Sequence, residues 1–404
     1  MQKILYLLVP IFFILLSCGD GSEPYDPTGG GTPPPEEETV YCHARAKEMF
    51  DVINKSFKSN NNLYNESSPK QTGDPQYSYL WPYDALISGA ATLAQLGYDV
   101  GYAAMVDAFE KYYRTGANGN TIGGYGSSTN GTTGGGTRFY DDNSIVGISL
   151  VEAYHVTKDK KYIDRAKRIV GFLKSGVDSY LGGALWWNEN EKNISGNPDS
   201  NKPSCSNGYA TLFLLDYYSV CDASEKAEVL AFAKDLYTWL RNNLYDNDTK
   251  CYLNDKNADG NINSMIWTYN VGVMIQNGVR LYKITNEQKY LNEAIASAEG
   301  SYDYFVKTRN NVVSYPDHDP WFNTKLLRGY IDIKPYHKTA DKYIETYFKF
   351  INNGYDKART STGFFYEDWT GASPKRYQSL LMQACVVESY GALALFYKED
   401  INKK

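Results

Sequence analysis

From Tyr41 onward the chain alternates two hydrophobic patterns. In one, apolar side chains recur at helical spacing on a single side. Between Lys161 and Leu173, for example, Tyr162, Ala166, Ile169, Val170 and Leu173 share a face opposite the charges, as in a helix lying on the outside of a core. The stretch from Tyr41 to Phe57 reads the same way. In the other pattern nearly every face is apolar, as from Ile145 to Tyr154 and from Ser379 to Tyr397. Such helices are buried all round. Strand signals are sparse.

The alternation has a period. Tyr154, Tyr218 and Tyr282 are spaced by 64 and 64 residues, and Tyr162 and Tyr290 follow the first and third by 8. Counting back sets Asp142 level with Ser206 and Asn270. Apolar helices start near residues 84, 143, 207, 270, 323 and 378, at intervals of 59, 64, 63, 53 and 55. Six buried helices, each with an amphipathic neighbour, predict an all-α fold that closes into an (α/α)6 barrel rather than running on as an open solenoid. Residues 40–404 are then one domain.

If all six inner helices start at one rim, their first residues crowd round one mouth. Trp81, Asp84, Tyr140, Asp141, Asp142, Asn143, Asn207, Trp267, Tyr269, Asn270 and Trp321 belong to that set. Aromatics, amides and carboxylates converging on a concavity suit a sugar, because Tyr and Trp combine an apolar face with a polar tip. Trp186-Trp187, after Gly182-Gly183, is either a second stacking platform at Trp187 or a buried aromatic pair.

The first 39 residues follow neither pattern. Lys3 precedes an apolar run from Ile4 to Leu16 that ends Leu15-Leu16-Ser17-Cys18. This run is too short to span a bilayer and fits the core of a signal peptide. Its ending resembles a bacterial lipobox, so residues 1–18 are expected to form a lipoprotein signal, with cleavage before Cys18 and lipid on its sulfur. Residues 19–39 read as a flexible Gly/Pro/acidic tether with almost nothing to bury. A membrane partner is therefore expected through the lipid anchor, at the outer-membrane surface or in the periplasm.

Composition narrows the function. The 404 residues carry a net charge of -6, which argues against nucleic acid as a partner. Aromatics make up 15%, with 37 Tyr and 7 Trp, enough to line a glycan surface as well as a core. Beyond Cys18 the cysteines are Cys42, Cys205, Cys221, Cys251 and Cys385, an odd number without a CxxC pair. The four histidines show no ligand spacing, and no phosphate-loop or nucleophile-elbow motif occurs. Asp255-Lys256-Asn257-Ala258-Asp259-Gly260 matches the first half of an EF-hand loop, but position twelve is Ile266 rather than Glu, so it reads as a turn. No metal and no cofactor are expected, and the molecule is expected to be a monomer.

The chemistry concentrates in Arg138-Phe139-Tyr140-Asp141-Asp142-Asn143, which opens onto a nearly uncharged helix behind a Gly/Ser/Thr/Asn-rich segment from Gly116 to Thr137. That segment is expected to form a flap. Asp and Asn before an apolar run also serve as ordinary helix caps. The equivalent starts at Asn207 and Asn270 are expected to cap with amides, so a carboxylate pair is not needed merely to begin a helix. Adjacent aspartates push their proton affinities apart, as an acid and a partner carboxylate require. Glycoside cleavage uses such a pair, and carboxyls about 5–5.5 Å apart imply a covalent intermediate with retention. The sequence by itself does not say which Asp plays which part.

Phe139-Tyr140-Asp141-Asp142-Asn143, Gly182-Gly183-Ala184-Leu185-Trp186-Trp187, Ser206-Asn207-Gly208, and Thr268-Tyr269-Asn270-Val271-Gly272 with Leu281-Tyr282 together resemble glycoside hydrolase family 76, the endo-α-1,6-mannanases. The blocks stand in the family's order and the likeness covers about residues 41–400. The resemblance implies an (α/α)6 barrel without cofactor and retaining hydrolysis of α-1,6-linked mannan. It also implies Asp141 as nucleophile and Asp142 as acid/base. A lipoprotein signal fits Bacteroidetes members that handle yeast-type mannan. Asn207-Gly208-Tyr209 stands where Asn-Glu-Leu is the family's usual run. Two other readings remain at this stage. One is a non-catalytic glycan-binding lipoprotein, and the other is an (α/α)6 enzyme of other linkage, including a uronide-cleaving one that would need Arg138 or Lys325 at the mouth.

Overall fold

The computed structural model describes residues 40–403 except 117–120, 130–134 and 318. The leader, the tether and Cys18 lie outside these residues, as does part of the expected flap. The described chain from Tyr41 is one compact unit.

Among the described residues twelve α-helices alternate between the outside and the inside of a ring. The inner six are α2 (Leu80–Gln95), α4 (Tyr140–Thr157), α6 (Ser204–Val220), α8 (Thr268–Thr285), α10 (Pro320–Ile333) and α12 (Leu380–Tyr397). The outer six are α1 (Cys42–Ser56), α3 (Tyr102–Asp107), α5 (Lys161–Lys174), α7 (Lys226–Asn243), α9 (Gln288–Phe305) and α11 (Ala340–Lys357). Each inner helix packs on the next, and α12 packs on α2, which closes the circle. This is the expected (α/α)6 barrel.

Chain order and spatial pairing are offset. Helix α1 comes first in the chain but lies against α12, the last. The Cys42 and His43 amides donate to the Glu399 carboxylate at 3.0 and 2.8 Å, and His43 Nε2 meets the Lys403 carbonyl at 3.1 Å. Helix α12 is long and apolar enough to cross a membrane. Its residues from Leu380 to Ala394 are instead buried in the ring, so its composition is that of a core helix.

The inner helices approach closely where they carry glycine. A Cβ on Gly272 of α8 would collide with the Lys325 carbonyl of α10, and one on Gly329 would lie 2.8 Å from the Gly272 carbonyl. At such crossings any side chain would push the helices apart.

Among the described residues three small antiparallel sheets decorate the rim, and the hydrophobic pattern did not announce them. Strand β1 (Tyr113–Thr115), just before the expected flap, pairs with β2 (Gly123–Tyr125) inside it. Strand β3 (Asn201–Pro203) pairs with β4 (Leu253–Asn257), which pairs with β5 (Ile262–Ile266). Strands β6 (Lys307–Arg309) and β7 (Val312–Ser314) form the third. The EF-hand-like stretch is the β4–β5 turn. Gly260 takes φ +84° there, and the Asp259 carboxylate is engaged by Ser195 Oγ and the Gly196 amide.

Candidate active site

All six inner helices begin at the same rim and leave a cleft of about 1110 Å³ above the barrel axis. The second residue after each N-cap faces it. These residues are Trp81, Asp141, Cys205, Tyr269, Trp321 and Leu381, one from each helix. The geometry follows from a helix start held at a fixed tilt to the axis: equivalent positions point the same way.

Two positions further on, the side chain turns outward. Asn143 on α4 receives the Tyr125 amide on Oδ1 at 2.7 Å and donates to the Tyr125 and Phe139 carbonyls at 2.9 and 2.7 Å. Asn207 on α6 receives the Leu185 amide at 2.7 Å and donates to the Leu185 and Pro203 carbonyls at 3.1 and 2.9 Å. Gln383 on α12 does the same to Phe365, and its amide also donates to the Tyr377 carbonyl at 2.7 Å. Each amide completes the hydrogen bonding of a buried loop backbone that no strand partner satisfies.

The structure therefore divides the expected mouth residues. Trp81, Asp141, Asp142, Trp187, Trp267, Tyr269 and Trp321 line the cleft. Asn143 and Asn207 stand behind its wall as backbone clamps. Tyr140 is fully buried and stacks on Phe172 at 4.8 Å. Asn270 is fully buried, with neither side-chain atom bonded to another protein group. Asp84 is buried beneath the cleft, where Ser149 Oγ donates to its Oδ1 at 2.8 Å. The amides also do not cap their helices: the N-caps are Phe139, Pro203 and Trp267, none with a side-chain capping bond.

Three extended segments bring the aspartate pair and Trp187 together. The Tyr140 amide donates to the Trp187 carbonyl at 3.0 Å, and the Trp187 amide donates to the Asn201 carbonyl at 2.9 Å. Side chains alternate along such a segment, so the tryptophan pair splits. Trp186 is buried, and its Nε1 donates to Asp178 at 2.6 Å. Trp187 faces the cleft beside Phe139 at 5.0 Å. Arg138 anchors the assembly from behind in a bidentate pair with Glu189, and donates to the Ile122 carbonyl at 2.6 Å.

Asp141 and Asp142 sit in unlike surroundings. Asp141 Oδ1 accepts the Asp142 amide at 3.0 Å; its Oδ2 accepts Trp187 Nε1 and Cys205 Sγ, both at 3.2 Å. Burial raises the proton affinity of Asp141, and these donors pull it back down. Asp142 has burial and the charges of Asp141 and Asp84 acting on it, all raising its proton affinity well above the carboxylate range. Proton affinity is thus raised further at Asp142 than at Asp141. Asp84 itself is pushed up to about 7, mainly by burial.

One wall of the cleft is aromatic. Phe322 stacks on Tyr269 at 4.2 Å and on Trp81 at 6.0 Å, with Trp267 edge-on at 5.6 Å. The facing wall is polar and comes from the β4–β5 hairpin, through Asn254, Asp255, Asn257, Asn261 and Asn263. Asp319, in left-handed conformation at the α10 N-cap, and Glu66 also reach the cleft. Among the described residues no Lys or Arg lines it. Arg138 is paired with Glu189, and Lys325 donates to both oxygens of Glu388 at 2.9 and 2.8 Å. A cleft with carboxylates and no free cation suits a neutral glycan and removes the basis for a uronide substrate.

Sequence reasoning missed Cys205, Phe322 and the hairpin. The 64-residue period carried a signal for the first of these, since Cys205 and Tyr269 stand 64 and 128 residues beyond Asp141. The hairpin offered only a run of asparagines. The five cysteines from Cys42 onward are all buried free thiols, and no cluster of three His, Cys, Asp or Glu able to hold a metal occurs among the described residues.

The sequence pattern of glycosyl hydrolase family 76 matches residues 41–397. In fold, the chain is similar to a GH76 α-mannanase of Bacteroides thetaiotaomicron, at 24% identity and a TM-score of 0.77, over 90% of this chain and 98% of that one. It is also similar to the GH76A α-1,6-mannanase of Salegentibacter sp. HEL1_6, at 22% identity and a TM-score of 0.71, over 88% and 99%. An inactive variant of that enzyme, changed at two adjacent aspartates, is a complex with α-1,6-mannotriose (21% identity, TM-score 0.69, over 88% and 99%). No curated protein matches the chain in sequence.

Proposed function

Because the chain belongs to glycosyl hydrolase family 76, we propose that it is a retaining endo-α-1,6-mannanase in which Asp141 is the nucleophile and Asp142 the acid/base. The observation that carries this reading is the asymmetry of the pair. Three donors favour the ionised form of Asp141 against the burial that raises its proton affinity. Asp142, with that anion beside it, holds a proton. In the first step Asp142 protonates the leaving glycosidic oxygen while Asp141 attacks the anomeric carbon and forms a glycosyl ester. In the second, the Asp142 carboxylate takes a proton from water, which displaces Asp141 with net retention. The aromatic wall receives the apolar faces of neutral sugars and the amide wall their hydroxyls. The cleft is open and far larger than one sugar ring, which supports action within a chain.

Product analysis on linear α-1,6-mannan tests this. Wild type is expected to release α-1,6-manno-oligosaccharides with an α-anomer formed first, and Asp141→Asn and Asp142→Asn are each expected to lose at least 1000-fold, on the order of 4 kcal/mol of barrier. Saturable binding without turnover in the wild type would instead make the cleft a lectin-like site. A β-anomer formed first would replace retention by inversion.

We further propose that the enzyme acts as a monomer held at the cell envelope, at the outer-membrane surface or in the periplasm, by lipid on Cys18. The support is the Ile4–Leu16 run ending in Leu-Leu-Ser-Cys. Cys18→Ala should move the protein from the membrane to the soluble fraction.

A further inference from the structure

We propose that Cys205 is a positioning residue for the Asp141 carboxylate, its thiol donating to Oδ2 of Asp141. The inference rests on Asp141 being the nucleophile. The two residues occupy equivalent places, each second after the N-cap of its helix, on the neighbouring helices α4 and α6. The sulfur lies 3.2 Å from Oδ2. A thiol carries one weak donor, and here the carboxylate receives it.

Cys205 works here as a neutral donor and not as a nucleophile. Burial and the Asp141 charge hold its thiol well above the ordinary cysteine range, so the proton stays on sulfur. Its donation stabilises the ionised form of Asp141 and points Oδ2 toward the cleft. The remaining Asp141 oxygen is held by the Asp142 amide, so the carboxylate plane is defined from both ends. Tyr269 forms cleft surface against Phe322. The titratable groups facing Asp141 are Asp142 on α4, Asp84 on α2, Cys205 and Tyr209 on α6 and Tyr269 on α8, with Glu388 on α12 behind Tyr209.

The test combines turnover of linear α-1,6-mannan with thiol chemistry on the full chain. Cys205→Ala is expected to lower kcat about tenfold with KM changed less than about twofold, the size of one weak charge-assisted hydrogen bond. Its acid limb should move up by about one pH unit, because the carboxylate loses a donor to its charged form. Cys205→Ser should recover activity to within about threefold and bring the limb back. Independently of turnover, alkylation of Cys205 by iodoacetamide, followed by peptide mass spectrometry across pH, should begin at lower pH in Asp141→Asn than in wild type. An unmoved acid limb in Cys205→Ala, no recovery with Ser, or identical alkylation profiles overturns the positioning role. If wild type does not cleave α-1,6-mannan, the mannanase reading fails by itself, and the alkylation profiles still decide whether the thiol answers to Asp141.

Discussion

Ser149 Oγ donates to Oδ1 of Asp84 at 2.8 Å across the α2–α4 crossing, seven residues along α4 from Asp142, while Oδ2 of Asp84 is buried with no partner. A carboxyl so placed binds its proton more tightly folded than unfolded, with a value near 7 against the ordinary 3.8. Stability is therefore withdrawn as pH rises from about 4 to about 7, by up to about 4 kcal/mol. Asp84→Asn keeps the Ser149 bond and loses the charge. Denaturant titrations across that window should show wild type losing stability that the variant retains.

On the proposed mechanism, turnover needs Asp141 ionised and Asp142 protonated. Burial raises both, and Asp142 the further of the two, so both limbs of the kcat/KM profile should lie above the ordinary carboxylate range. Asp84→Asn should lower the basic limb, because the charge that helps keep Asp142 protonated is gone. The pH profiles of the two proteins on one substrate check this.

The aromatic wall is expected to bind ground state and transition state alike. Trp81→Ala and Trp267→Ala should each raise KM about tenfold, on the order of 1.4 kcal/mol, with kcat changed much less. Steady-state kinetics on α-1,6-manno-oligosaccharides separates the two parameters.

The outward amides should matter more to stability than their exposure at a mouth would suggest. Asn207→Ala leaves the Leu185 amide and two carbonyls without partners in a dry wall, at a cost of about 3 kcal/mol. Asn270→Ala removes an amide that bonds no protein group and should cost clearly less. Chemical denaturation of both variants gives the comparison.

The ring was legible because nothing else repeats a fully apolar helix six times, and the aspartate pair because two charges stand at the start of one. Other features hid for physical reasons. Asn143 and Asn207 have the right chemistry for a sugar and the right height in the barrel, but a helix turns about 100° per residue. Two positions therefore separate a cleft residue from a clamp behind the wall. The inner helices looked apolar all round, yet each of five spares one stripe for the axis. There Glu152, Asp216, Arg280, Lys325, Arg328 and Glu388 surround a second cavity of about 320 Å³. One or two such charges per helix do not alter a hydrophobic pattern. Cys205 carries no motif at all, and its meaning comes only from Asp141 on the next helix.

The pairing of α1 with α12 also sets the order in which the molecule can be finished. The Cys42 amide finds its acceptor on Glu399, 357 residues away. During synthesis the first helix waits with its buried face, including Phe50 and Ile53, uncovered until the last has left the ribosome. Neighbouring hairpins can form as they emerge, because their contacts are local. The circle itself closes late and over the longest possible loop. A chain cut short by even its final helix would thus leave two apolar surfaces bare, one at each end, and aggregation rather than a smaller barrel is what such a fragment should give.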